Sequence, residues 1–384
     1  MSTRVYRDAD SHVMELPDFL TSHADPAARA GMPRPYKIDD PHYLGGMGVP
    51  IDGRRAHPPD VADELAAAGA GLLRGPKWYR ALGAFDPGER SRMLDLLGFE
   101  SQVVFTSFAA GAVIALDDLD VAYDAARAHN RGMAEFCSDD GRLLGVAVLL
   151  LDDVGRALSE IDACLDAGLR LFWLPGRAPD GRSPGHVDHD PVWARLAEAG
   201  APFVLHVGSN PLTIDPEWMN DGHPDRRSAR GGAEVVGSKD MTTIFHGAER
   251  FLSVLVLDGV LDRFPALRGA CIELGAGWVP SMLDRLDHVV DIWARSEPHL
   301  AELGRRPSEQ AADQLRFTPY PFEDVGELIA QSDPRLYLFS TDYPHAEGGR
   351  DPIGRFDASL AASGADEQTA ARFYGGNFAD LLAV

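Results

Sequence analysis

Only three cysteines occur in 384 residues, Cys137, Cys164 and Cys271, widely spaced and never arranged as CxxC. That excludes a disulfide framework and a cysteine-rich zinc ribbon, and it suits a reducing compartment. Long apolar runs are also missing. The longest, residues 143–151, stops at Asp152 and Asp153, far short of the roughly 20 residues of a membrane span. Residues 1–10 are polar and hold no apolar signal core, so a cytoplasmic location is expected. Positive charge is scarce as well: Lys and Arg number 36 against 59 Asp and Glu, a formal net charge of −23. A polyanion repels phosphate backbones and anionic bilayers, so neither a nucleic acid nor a membrane is an expected partner. A glycine-rich phosphate turn is absent too. Gly275-Ala-Gly277-Trp-Val-Pro280 lacks the third glycine of a dinucleotide fingerprint and reads as a tight strand-to-helix turn.

What is present is ordinary globular composition, 45% hydrophobic and 25% charged. Apolar, β-branched runs fall at residues 5–9, 102–106, 143–149, 171–174, 203–207, 268–274, 315–318 and 336–340. Such runs, apolar on both faces, suit strands of a parallel sheet. Helical patterns lie between them at 119–137, 154–167, 191–199, 240–264, 280–294 and 324–331, with Gly168 and Gly200 placed to end two of them. Eight strands alternating with helices predict an α/β fold, a (β/α)8 TIM barrel over residues 1–384 as a single domain. Two stretches exceed a minimal barrel, 35–89 after the first strand and 209–239 after the fifth. Both begin at strand C-terminal ends, where barrel enzymes build lids, and both equally suit subunit contacts.

In a barrel, polar residues at strand C-terminal ends share one mouth. Those residues are Asp10 and His12 after the first strand, His206 at the end of the fifth, Glu273 on the sixth and Asp342 after the eighth. Positions i and i+2 of a strand face the same side, so Asp10 and His12 can reach one point. Singly, a histidine at a strand end is more often a bonded core residue, and an aspartate there a helix cap. Two imidazoles and carboxylates converging from separate strands form instead a site for a borderline divalent ion such as zinc. The rings of His12 and His206 must then lie within about 6 Å of each other, because zinc–nitrogen bonds run near 2 Å.

Asp8-Ala-Asp10-Ser-His12-Val-Met-Glu15 resembles the opening motif of the amidohydrolase-related family, the branch that includes aminocarboxymuconate-semialdehyde decarboxylase. Gly259-Val-Leu-Asp-Arg263-Phe-Pro265, Glu273-Leu-Gly-Ala-Gly-Trp278, Phe339-Ser-Thr-Asp342-Tyr-Pro344-His345 and Phe373-Tyr-Gly-Gly-Asn377 extend the likeness over nearly the whole chain. The resemblance implies a divalent ion held by His12, His206 and Asp342, with Asp10 as fourth ligand. Many relatives carry histidine or glutamate where Asp10 stands, which leaves zinc, manganese or another divalent ion open. The decarboxylases of the family carry a histidine where Glu273 stands, and glutamate can serve there as general acid or base. With Asp342 as general base, the implied reaction is nonoxidative decarboxylation of a small aromatic or unsaturated carboxylate, making the protein a lyase. The alternative is hydrolysis of a C–C or C–N bond by activated water. A metal-free binding protein would be expected to have lost ligands, whereas all four positions hold competent side chains. Relatives are often dimers, so a homodimer is expected.

Other polar residues near the mouth are candidates of lower specificity. His246 opens the helix after the fifth strand and His345 follows Asp342; each reads as a pocket residue or a bonded loop histidine. Arg177 is either a carboxylate clamp or a surface ion pair, and Trp173, Phe172 and Trp278 either wall an aromatic substrate or belong to the core. His186 and His189 have metal-like HxxH spacing but fall in a Gly/Pro-rich loop away from the mouth, and are read as no part of the site.

Overall fold

The computed structural model describes residues 4–36, 40, 42–211, 214–223 and 236–383. The apolar runs pair as parallel strands: β1 (Tyr6–Asp8), β2 (His12–Val13), β3 (Phe99–Thr106), β4 (Leu143–Val148), β5 (Leu171–Trp173), β6 (Phe203–Leu205), β7 (Gly269–Cys271) and β8 (Leu315–Phe317). Their order is β1-β3-β4-β5-β6-β7-β8, with β2 also on β3. Residues 336–340 close the ring. Phe317 N–H donates to Leu336 O at 2.7 Å and Leu338 N–H to Phe317 O at 2.9 Å, while Ala9 N–H donates to Phe339 O at 3.0 Å from the other side. The result is the TIM barrel that the alternating pattern predicts.

Two strands differ from expectation. The first is split, leaving Asp10 in the gap between β1 and β2 rather than on a strand. The eighth is reduced to a bridge between Phe317 and Tyr337, because Phe339 N–H donates to Phe373 O, 3.1 Å away in the C-terminal turn, and leaves the ladder. The helix expected over 240–264 is three: Ser238–Met241, His246–Leu257 and Val260–Arg263. Gly259, at φ 74°, breaks the second from the third. The other helices lie where the pattern puts them, and Gly168 and Gly200 end theirs at φ 88° and 59°.

The stretch after the first strand, 35–89, includes helix Pro59–Ala66 and the turns Gly69–Arg74 and Trp78–Arg80; its residues 37–39 and 41 lie outside the described residues. It folds back on the mouth, with Trp78 N–H donating to Pro344 O at 3.0 Å and Met14 N–H to Ala84 O at 2.7 Å. Of 209–239, residues 212–213 and 224–235 lie outside the described residues. Among the described residues, no helix is long and apolar enough to cross a membrane.

Helix Leu119–Cys137 pins β3 and β4 through two polar side chains. His129 Nε2 meets Thr106 Oγ1 at 3.0 Å, and Asn130 both donates to Val148 O and accepts from Val148 N–H. Burial pushes the His129 imidazole down to about 4. Above pH 6.5 the ring is neutral folded or unfolded; as pH falls from there toward 4 the unfolded chain takes the proton first and stability is lost. We therefore expect the melting-temperature gap between the protein and His129→Gln to narrow from pH 7 to pH 4.5, by an amount equivalent to roughly 2–3 kcal/mol. An unchanged gap would mean that His129 titrates normally.

Candidate metal centre

Strand C-terminal ends aim Asp10, His12, His206, Glu273 and Asp342 at one place, where Asp10, His12 and His206 are each 1% exposed and Glu273 and Asp342 5%. The rings of His12 and His206 are 5.1 Å apart, inside the limit that a shared ion sets. Backbone carbonyls fix both: Nδ1 of His12 lies 3.3 Å from Thr106 O and Nδ1 of His206 lies 3.0 Å from Val207 O. A carbonyl only accepts, so Nδ1 holds the proton of each neutral ring and Nε2 turns a lone pair inward. There it meets carboxylates. His12 Nε2 is 3.4 Å from Asp10 Oδ1, 3.6 Å from Glu273 Oε2 and 3.4 Å from Asp342 Oδ1. His206 Nε2 is 3.4 Å from Asp10 Oδ1 and 3.3 Å from Glu273 Oε2.

These separations bear on the ion. Two ligands bonded to one cation at about 2.1 Å and the tetrahedral angle stand about 3.4 Å apart, which is the spacing found. Lone pair facing lone pair at that range needs a bridging cation or proton, and His12 Nε2 and Glu273 Oε2 are buried without a hydrogen-bond partner. Two overlapping groups have ligand-type atoms within 4.8 Å of one another: Asp10, His12, His206 with Glu273, and His12, Glu273, Asp342 with His345. The donor set of nitrogen and carboxylate oxygen therefore fits a divalent ion, and Glu273, placed by sequence reading beside the ligands, lies within reach of both imidazoles.

The carboxylates are not equivalent. Burial works against the charge of Asp10, but its contacts with the His12 and His206 imidazoles outweigh it and hold its pKa below the usual range. For Glu273 burial dominates, joined by the charges of Asp10 and Glu347, and raises its pKa well above a normal carboxyl. Both Glu273 (φ 55°) and Asp342 (φ 52°) take left-handed backbone, which side chains other than glycine rarely adopt and which collects at functional sites. Glu273 is held by its N–H on Thr318 Oγ1 (2.9 Å) and by Tyr320 OH on its carbonyl (2.8 Å); Asp342 N–H donates to Asp10 O at 2.8 Å.

A buried network that sequence reading missed supports these positions. Asp8 accepts from Thr341 N–H at 2.8 Å, Thr341 Oγ1 at 2.6 Å and Gln102 Nε2 at 2.8 Å, tying β1 and β3 to the Asp342 loop. Arg90, fully buried, donates to Gln102 Oε1, Gly83 O and His12 O. Burial raises Asp8 to about 7 and lowers Arg90 to about 10. The alternation Asp8, Asp10, His12 was the available signal for Asp8; Arg90 gave none, because an arginine in a helix normally reads as solvent-facing.

The remaining candidates divide. His345 joins the cluster: it stacks on His12 at 3.8 Å, contacts Asp342 Oδ1 at 3.1 Å and bonds Ser107 Oγ at 2.8 Å. Burial, then the neighbouring His12 and His206, push its pKa well below normal. Trp173 walls His206 at 4.8 Å and donates to Ser209 Oγ. His246 is exposed, its ring edge-on to Phe245, and belongs to neither ligand group. Arg177 forms a forked ion pair with Asp152 at 2.5 and 2.7 Å, so its guanidinium is occupied. Phe172 is core, and Trp278 stacks on Phe245. His186 and His189 are in neither ligand group. A cation not foreseen, Lys77, feels the charges of Asp342 and Glu347, although burial lowers its pKa.

A parallel barrel gathering imidazoles and carboxylates at the C-terminal ends of its strands is an enzyme scaffold. Residues 23–384 match the amidohydrolase family model, and the chain belongs to the amidohydrolase family. No curated protein matches it in sequence. Among solved structures, an amidohydrolase from Mycobacterium avium subsp. paratuberculosis K-10 is 24% identical with a TM-score of 0.72, over 100% of this chain and 99% of that one. A dihydroxybenzoic acid decarboxylase from Polaromonas sp. JS666, with bound manganese and the inhibitor 2-nitroresorcinol, is 19% identical with a TM-score of 0.61, over 99% and 97%. A 5-carboxyvanillate decarboxylase from Novosphingobium aromaticivorans, complexed with manganese and 4-hydroxy-3-methoxy-5-nitrobenzoic acid, is 18% identical with a TM-score of 0.62, over 99% and 96%. At these identities the likeness is one of fold.

Proposed function

We propose that the protein is a metal-dependent enzyme that decarboxylates a small aromatic or unsaturated carboxylate without oxidation. The observation that carries this reading is the spacing of 3.3–3.6 Å between inward imidazole nitrogens and buried carboxylate oxygens. Asp10, His12, His206 and Asp342 would hold the ion, with Glu273 beside them. Manganese in the two decarboxylases of like fold, and their aromatic ligands, support the metal and the substrate class; zinc and manganese both suit the donors. When bound, the ion supplies a Lewis acid that neutralises and orients the substrate's carboxylate or phenolate.

The chain's own residues handle the proton. Decarboxylation places a proton on the carbon that bears the carboxylate; the C–C bond then breaks, its electron pair returns to the ring or alkene, and CO2 leaves. Glu273 and Asp342 would deliver that proton, which stays on the product carbon, and the carboxylate left behind would take up its replacement from water; His345, kept neutral by burial, would orient Asp342 from behind. Trp173 and Phe105 close off water on the His206 side.

Turnover of dihydroxybenzoates and related acids in D2O tests the reading: CO2 should appear with one deuterium at the vacated carbon. Incorporation of oxygen from labelled water into the product, without CO2, would overturn it in favour of hydrolysis, to which a carboxyl at position 273 in place of a histidine is equally suited. Glu273→Gln should lose about a hundredfold or more in turnover while the purified protein keeps its metal content. Unchanged turnover would take Glu273 out of the proton path.

A further inference from the structure

The far end of the barrel holds a second concentration of charge, of opposite sign. Arg268 precedes β7, Arg305 precedes helix Pro307–Gln314, Arg316 lies on β8 and Arg335 precedes the closing segment 336–340. All four line one open cavity of about 470 Å³, together with Asp313 and Asp380. Two of these arginines are already neutralised: Arg305 and Arg335 both pair with Asp313, and Arg335 pairs also with Asp333. The other two are not. Arg268 donates to the carbonyls of Pro265 (2.8 Å) and Leu267 (3.2 Å), and Arg316 to those of Ala312 (3.0 Å) and Leu315 (2.8 Å). Neither makes an ion pair among the described residues, although the charge of Asp380, itself paired with Arg372 at 3.4 Å, reaches Arg316.

Arg316 is the unusual one. It is 3% exposed, and its Nε is buried without a hydrogen-bond partner. Carbonyls at the end of helix Pro307–Gln314 offset part of its charge through the helix dipole, but they satisfy only Nη1. A buried cation without a direct ion-pair partner is costly, and in a chain of net charge −23 there was no shortage of acidic residues to supply one.

We propose that this cavity binds a small phosphate-bearing anion between Arg268 and Arg316, with Asp313 holding the other two guanidiniums in place. Two guanidiniums without an ion-pair partner among the described residues match the near-dianionic charge of a phosphate at pH 7, and their planar forks match its oxygens. The volume exceeds a bare phosphate and leaves room for the organic part of a phosphomonoester. The site is separate from the acidic cluster, which lies at the opposite ends of the same strands and repels free anions.

Calorimetric titration of the metal-loaded protein with inorganic phosphate and with glycerol phosphate tests this. Both should bind, the ester more tightly if a phosphorylated metabolite is the natural occupant and no more tightly if phosphate itself is. Arg268→Gln, which removes a half-buried side chain bonded only to neighbouring carbonyls, should weaken binding about tenfold or more, the worth of a charge-assisted hydrogen bond. Arg316→Gln should weaken it further; should that variant fail to fold, Arg268→Gln decides alone. His206→Ala should bind phosphate as the parent does. Binding unaffected by Arg268→Gln, binding lost only in His206→Ala, or no heat at about 10 mM of either probe would each overturn the proposal.

Discussion

Substituting His206 by alanine should remove both the bound ion and turnover. His206 faces Asp10 and Glu273 with one nitrogen and a backbone carbonyl with the other, so nothing else on β6 can replace it. Changing even the outer partners of a ligand typically costs 10–100-fold in metal affinity, and removing a ligand should cost more than about a hundredfold. The readouts are metal content after dialysis and turnover with the metal restored. The variant should stay folded, because its neighbours Phe105 and Trp173 belong to a continuous apolar core, although a cavity there will lower its melting temperature. A variant stripped of metal yet fully active would exclude the proposed chemistry. One that keeps its metal but loses activity would mean that His206 serves the substrate rather than the ion.

The barrel was legible because buried parallel strands are apolar on both faces, so each run stood out from the amphipathic helices around it. The convergence of Asp10, His12, His206 and Asp342 was legible for a related reason: a hydrophobic strand has little use for a histidine or aspartate at its end unless something satisfies it. Legibility failed where long-range contacts override local pattern. Residues 336–340 read as a full eighth strand, but the amide of Phe339 is taken by Phe373, and no local signal marks that exchange. Arg90 reads as a surface residue of helix Pro87–Leu97, yet it is buried because carbonyls from Gly83 and His12 and the amide of Gln102 converge on it. Arg177 had two local readings, a clamp or an ion pair, and only the position of Asp152 shows which partner its guanidinium has. The distinction between ligand and neighbour at Glu273 was likewise invisible, since strand order places the residue at the mouth while the left-handed turn at its own backbone aims the carboxyl at both imidazoles.

Asp342→Asn should separate metal retention from catalysis. Asparagine tolerates left-handed backbone better than most residues, so the φ of 52° at this position and the hydrogen bond from its N–H to Asp10 O can both survive. The amide oxygen can still face His12 and coordinate weakly, so a substantial part of the metal should remain after purification. It cannot take up a proton, however, and loss of a general base typically costs 10²–10⁴ in rate. Turnover should therefore fall by about a hundredfold or more while metal content falls far less. Melting temperature should stay near that of the parent, since Asp8 continues to hold the loop through both donors of Thr341. If metal and activity fall together in proportion, Asp342 acts only as a ligand; if neither falls, the proton is carried by another group, and Glu273, the carboxyl beside His12 whose pKa burial raises, becomes the residue to substitute first.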